Sequence, residues 1–400
     1  MRATVLVFCL SLLLVGVAPA ADSLNVRLVG ASGTPGIAQR VAVSGHYAFI
    51  ADDSAGLRVI SVADPAHPVE VGHCDTPDDA YGVAVSGNYA YVADDDSGLR
   101  VISIADPAHP VEVGHCGTSG YALGVAASGS YAYVADYDSG LRVISVSDPA
   151  HPAEVGRCAA TSGPAGVAVR GDYAYVAAHM ALLGVSISDP AHPTVVGSWT
   201  NRDRALNVAV SGDYAYVADW RGKLAIISIA DPAHPVEAAW YFTGGWTYGV
   251  AVSGGLAYVA DYSDGLRVIS VSDPAHPVEV GYYKATSDEA IDVAVDGDYV
   301  YVTDYNSGLK VYEYYGTGVE QEPTAEVQTP NAATITRNVL LLPKAAGQKP
   351  QAASLLDISG REVMELRSGA NDVRALAPGV YFVREAQARA QAVRKVVVTR

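Results

Sequence analysis

One recurring string limits what this chain can fold into. Val-Ala-Val-Ser-Gly begins at Val41 and returns, with small variations, at Val83, Val125, Val167, Val208, Val250 and Val293. The steps are 42, 42, 42, 41, 42 and 43 residues. A period of this size marks supersecondary units that bury their apolar faces by stacking on one another. The unit Gly82–Cys116 parses into four strands: Gly82–Val85, Tyr89–Ala93, Leu99–Ile104 and Val111–Cys116. Val, Ile and Tyr fill the strands, while Ser-Gly-Asn, an Asp-rich turn ending at Gly98, and Asp106–Pro110 separate them. Four short strands per unit predict a β-propeller. Two prolines in each unit and the absence of a 3.6-residue period exclude a helical solenoid, and the coils of a β-helix are shorter.

Seven starts predict seven blades. Asp-Pro-Ala-His-Pro, however, occurs six times, from Asp64, Asp106, Asp148, Asp189, Asp231 and Asp273. The seventh unit stops after Leu309–Tyr314, without an outer strand. The segment Asn25–Gly30 resembles the missing Val-Glu-Val-Gly strand. The N-terminal strand is therefore expected to complete the last blade, leaving no open seam. A Glu repeats on the outer strands, at Glu70, Glu112, Glu154, Glu237 and Glu279. It reads as a charge that discourages pairing with a foreign edge.

The ends differ from the repeats. Arg2, an apolar run from Thr4 to Ala18 and the small residues of Ala18-Pro19-Ala20 read as a signal peptide over 1–20. The run is shorter than a membrane span, and Cys9 lies inside it rather than at the cleavage point. No later segment could span a bilayer. The propeller is expected over 21–315 and a Gly-, Pro- and Thr-bearing linker over 316–338. A small C-terminal β-sandwich is expected over 339–400, with strands at Val339–Leu342, Ser354–Ile358, Glu362–Leu366, Val380–Arg384 and Val393–Val398. Residues 22–315 hold 14 Lys+Arg against 35 Asp+Glu, whereas residues 336–400 hold 11 against 5. Two domains of different history are implied, and so acidic a propeller, without a basic surface, puts nucleic acid far behind as a partner; none is expected.

Two resemblances follow from these strings. Gly-Leu-Arg-Val-Ile-Ser-Val-Ala-Asp-Pro-Ala-His-Pro-Val-Glu-Val-Gly, preceded by Ala-Tyr-Val-Ala-Asp, resembles the LVIVD-repeat family of secreted and surface β-propellers. Unit four departs from it at Ala177-Ala178-His179-Met180. The family implies a fold and an exterior location and little chemistry. In the tail, Leu356–Val363, Leu376–Val383 and Arg394–Val398 are similar to the C-terminal sorting domain of type IX secretion cargo. That resemblance implies a small β-sandwich, passage across both membranes of a Gram-negative-type envelope, and the type IX machinery as a partner.

Candidate chemistry is sparse. Cys74, Cys116 and Cys158 sit at equivalent outer positions of successive units. Disulfides need Cα atoms within about 7 Å, which blade geometry denies at that radius, so three free thiols are expected. The six His of the Asp-Pro-Ala-His-Pro turns do not converge, and the turn itself explains them. The turns between second and third strands are acidic (Asp52-Asp53, Asp94-Asp95-Asp96, Asp136 with Asp138, Asp261 with Asp264, Asp304). Calcium favours such oxygens, although the spacing is not an EF-hand and Asp before Gly also closes a hairpin; no other cofactor is indicated. HExxH, phosphate-loop, GxSxG and CxxC motifs are absent.

In so regular a chain, the departures carry the information. The four Trp fall in one stretch: Trp199, Trp220, Trp240 and Trp246. Around them stand His179, Arg202, Arg204, Arg221, Tyr248 and Tyr262. The second-to-third-strand turns and the blade-to-blade connections emerge on one face, which gathers most of these residues over units four to six. Aromatic planes beside Arg suit stacking on sugars or gripping a peptide. The expected function is an exported, non-catalytic binding module for a glycan or protein partner, secreted or at the cell surface. The alternatives are a propeller hydrolase or lyase acting on a polysaccharide or ester, and a structural surface or adhesion module.

Overall fold

The computed structural model describes residues 22–316 apart from 160–162, 201–202 and 285–288, and beyond 316 only the strand backbones. The signal-peptide reading over 1–20, Arg202, and most of the linker and tail motifs lie outside the described residues. The chain divides into two compact units, Met1–Val319 and Glu320–Arg400.

The first unit is a seven-bladed β-propeller. Six blades are four-stranded antiparallel sheets and the sixth in order has five strands; blade two runs Ala80–Ser86, Tyr89–Asp94, Leu99–Ser103 and Val111–Cys116 from axis to rim. The second strands are buried on both faces because each blade is sandwiched between two others. Outer strands instead alternate, with Val69, Val111, Val236 and Val278 exposed. A buried apolar cluster fills all seven blade-to-blade interfaces, including the one between blades seven and one.

Closure follows the expected route and goes further. Val26–Ser32 pairs with Gly308–Tyr314 and completes blade seven. Asp22–Leu24 adds a fifth strand to blade six, against Val278–Lys284. A close approach explains this extra strand. In the outer strand of blade one, a Cβ on Gly72 would lie 2.4 Å from the Pro107 carbonyl oxygen, in the Asp-Pro-Ala-His-Pro turn of the next blade. The seventh unit has no such turn, and over Gly281 the Leu24 backbone takes its place, 2.9 Å from the equivalent point. Asn25, with a left-handed φ of 55°, switches the chain from one blade to the other.

The outer-strand Glu has a second role beyond guarding an edge. In blades one, two, three and six it pairs with an Arg of the third strand, which also approaches the buried Asp ending the second strand. Arg100 lies 3.1 Å from Asp94 and 3.3 Å from Glu112, and Arg142 lies 3.6 Å from Asp136 and 3.2 Å from Glu154. In blade four all three positions change together, to Ala178, Leu183 and Val195.

The six Asp-Pro-Ala-His-Pro turns are alike. In the first, Asp64 accepts the Ala66 N–H at 3.1 Å and its other oxygen meets His67 Nδ1 at 2.9 Å. The His hydrogen bond holds this exposed carboxyl below the usual range. Each His is consumed within its own turn. Cys74, Cys116 and Cys158 are free thiols.

Beyond residue 316, the strands form two antiparallel sheets. One contains Thr334–Thr336, Val339–Leu342 and Gly369–Asp372, and the other Ala353–Leu356, Glu362–Leu366, Gly379–Glu385 and Val393–Val398. The strand Thr334–Thr336 falls inside the stretch expected as linker.

Candidate functional site

The turn after each second strand builds the face that carries the departures. Its first residue folds inward: Asp52, Asp94, Asp136 and Asp261 are fully buried. Its second residue adopts left-handed φ at Asp53, Asp95, His179 and Tyr262. That conformation is costly for a residue with a Cβ. Backbone bonds to the next blade hold it: Tyr262 exchanges two with Ala290, both 3.1 Å, and His179 accepts from Ala205 at 2.6 Å.

Blade six adds a loop, Thr243–Tyr248, pinned from beneath by Asp261. This carboxylate accepts from the Thr243 hydroxyl at 2.6 Å, the Gly245 N–H at 3.0 Å and the Thr247 hydroxyl at 3.1 Å. Burial pushes Asp261 up to about 6 despite those bonds and the nearby Arg267. A Cβ on Gly245 would lie 2.5 Å from the Asp261 carbonyl oxygen, so only glycine lets the loop sit this low.

Trp246 rises from that loop and joins a ladder of rings. Arg204 stands 5.6 Å over Trp220, and Trp220 lies 5.8 Å from Trp246. Trp246 stacks on Tyr262 at 5.4 Å, and Tyr262 meets Tyr248 at 5.5 Å. Trp246 remains 49% exposed, so the ladder is a surface and not core packing.

The other two Trp form a separate group on the rim, rather than sharing one cluster. Trp199 and Trp240, on the outer strands of blades four and five, flank Lys223 with its Nζ 5.5 and 5.8 Å from their rings. Lys223 also pairs with Glu237 at 3.0 Å. With Phe242, Thr200 and Asp203 these side chains line a cleft of about 410 Å³. Arg221 follows Trp220 in the chain and Asp203 precedes Arg204; their ion pair, at 2.7 Å, links ladder to cleft. His179, in the second-to-third-strand turn of blade four, belongs to neither the ladder nor the cleft lining.

A third group escaped the reading of the sequence. The slot before Val-Ala-Val is Gly in four blades (Gly82, Gly124, Gly166, Gly249) and Arg40, Asn207 and Asp292 in the other three. These three meet on the axis. Arg40 Nη2 donates across it to the carbonyl oxygens of Ala165 and Leu206, at 3.2 and 3.3 Å. Asp292 accepts from Asn207 Nδ2 at 3.0 Å and from the Val41 N–H at 3.2 Å. Burial raises the Asp292 pKa, and the Arg40 charge opposes the shift. Above them opens a mouth of about 140 Å³, walled by residues such as Tyr81, Leu123 and Tyr248. The signal was in the repeat: three polar residues where glycine is the rule.

The acidic turns leave one group of three carboxylates, Asp78, Asp79 and Asp95, with oxygens within 4.8 Å of one another among the described residues. Burial, reinforced by the neighbouring acids, lifts Asp95 to about 6. The leading Asp of the other turns is taken up by hydrogen bonds; Asp52, for instance, accepts from Thr34 and from the Gly36 N–H.

The sequence matches the LVIVD repeat family over residues 35–76, 77–118, 119–160, 164–201, 204–243, 244–285 and 288–311. No curated protein matches it. The fold is similar to that of the WD40 β-propeller domain of Doa1, with a TM-score of 0.59 at 11% identity over 75% of this chain and 98% of that one. It is also similar to the computationally designed Ika8 protein, with a TM-score of 0.53 at 11% identity over 72% and 99% of the two chains. At such identity the likeness concerns fold alone.

Proposed function

The chain belongs to the LVIVD-repeat family, and from that premise we propose an exported, non-catalytic binding module whose propeller holds an extended glycan on blades four to six. The observation that carries this reading is the ladder Arg204–Trp220–Trp246–Tyr262–Tyr248, continued through the Arg221–Asp203 pair to the cleft of Trp199 and Trp240. Successive exposed rings suit successive sugar rings, whose C–H faces pack on the aromatic planes. In the cleft, Thr200, Asp203, Arg221 and Glu237 offer donors and acceptors for hydroxyl groups. Export rests on the signal-like residues 1–20. The tail motifs support a C-terminal sorting β-sandwich and the type IX machinery as the export partner, with the mature protein at the surface or released.

The test is a fluorescence titration of the full mature chain with soluble oligosaccharides. All four Trp lie on this track, so the signal is local to it. A saturable change is expected. Trp220→Ala and Trp246→Ala should each weaken binding about tenfold, or about 1–2 kcal/mol, with the melting temperature nearly unchanged. Unchanged affinity in both variants would overturn the site.

A further inference from the structure

The axial mouth holds a cation without a direct ion pair among the described residues, with Asp292 as its nearest described opposite charge. Among the described arginines that are at least half-buried, Arg58, Arg100, Arg142 and Arg267 each have ion pairs. Arg40, also half-buried, has none within 4 Å among the described residues. Both of its described hydrogen bonds come from Nη2 and go to neutral carbonyls. Asp292 lies in its field, but its two oxygens are engaged by Asn207 and the Val41 N–H. Withdrawing a guanidinium from water without an ion pair is costly, and an arriving anion would offset that cost.

The surroundings select the anion. The mouth, about 140 Å³, has room for a carboxylate and the carbons next to it, since a water occupies about 30 Å³. Its wall is aromatic and aliphatic: Tyr81, Leu123, Leu206, Tyr248 and Ile291. Tyr248 belongs both to this wall and to the ring ladder. On the opposite flank, Asp53, Asp78, Asp79 and Asp95 surround Tyr81, and burial together with their charges raises its phenol. An anion is therefore repelled over blades one and two, whereas Leu206, Tyr248 and Ile291 wall the other side without charge, and Glu289 is met only further out, beside Tyr262. We infer that the ligand is an acidic oligosaccharide, with a uronate carboxylate seated at Arg40 and its sugar rings running outward along Tyr248, Tyr262 and Trp246. This inference rests on the glycan reading above.

The experiment is calorimetric titration of the full mature chain with trigalacturonic acid and with its methyl ester. The acid should bind at least about tenfold more tightly than the ester. Arg40→Gln should remove that preference by weakening the acid alone. Because Arg40 also bridges blades, Leu123→Glu supplies an independent variant: it places a carboxylate in the mouth, leaves Arg40 intact, and should also abolish the preference. Trp246→Ala should weaken acid and ester together. Equal binding of acid and ester by the unmodified protein would overturn the uronate assignment while leaving the ladder standing. Loss of both ligands in Arg40→Gln with the preference retained in Leu123→Glu would overturn it as well. If neither probe binds, the uronate assignment falls; neutral oligosaccharides binding in the same series would show that the glycan reading survives it.

Discussion

Asp261 is the residue on which the ladder's shape depends. It sits under the Trp246 loop with no exposed surface and a pKa raised from 3.8 to about 6. The folded chain therefore binds this proton more tightly than the unfolded chain does. By linkage, the contribution to stability is fully present below about 3.8 and is lost as pH rises through about 6. The shift corresponds to about 3 kcal/mol. Thermal melts should show a stability that rises as pH falls from 7 towards 4, and Asp261→Asn should shallow that slope. Asp95, also raised to about 6, acts in the same direction, so some slope will remain. A variant slope equal to that of the unmodified protein would exclude Asp261 as its origin. None of this was legible in the sequence. The string offers Asp261 as one more acidic turn residue, and only the low seat of Gly245, sixteen positions earlier, turns it into a buried anchor.

At the scale of the strand and blade, the Asp–Arg–Glu set presents a choice between charged and apolar solutions. Blade three uses Asp136, Arg142 and Glu154; blade four uses Ala178, Leu183 and Val195. Arg142→Leu alone should destabilise by about 3–5 kcal/mol, because Asp136 would be left buried without its cation. The triple change Asp136→Ala, Arg142→Leu, Glu154→Val should recover most of that loss. Urea denaturation of the two variants checks this, and an equally unstable triple variant would refute the equivalence of the two solutions. The strands themselves were plain from Val, Tyr and Ile between Gly and Asp-Pro turns. The partnership was not, since Arg and Glu twelve residues apart meet only through strand pairing. The same limit separated the tryptophans. Trp220 and Trp246 stand in turns and loops, whereas Trp199 and Trp240 stand on outer strands, so proximity in sequence did not mean one cluster.

For the whole molecule, the seven-fold repeat was sufficient to foresee the ring, and the missing outer strand of the last unit foretold its closure. The doubling of the clasp was hidden. It answers a need created by the missing Asp-Pro-Ala-His-Pro turn, which becomes visible only when Gly281 is seen to lack its usual cover. Deleting residues 22–32 should expose the Tyr314 edge, uncover the buried Val26 contact, and lower the melting temperature by about 10 °C. Light scattering should show self-association through the bared strand; an unaltered, monomeric melt would mean that the ring holds without its clasp. The clasp also imposes an order of events. Arg27 and its partner Glu313 are 286 residues apart, so the first part of the propeller to leave a ribosome must wait for nearly the last. Contacts of such separation form slowly. Until they form, a newly made chain is an open arc of blades with an unpaired strand at one end, and during that interval its bared edge is open to capture by another chain.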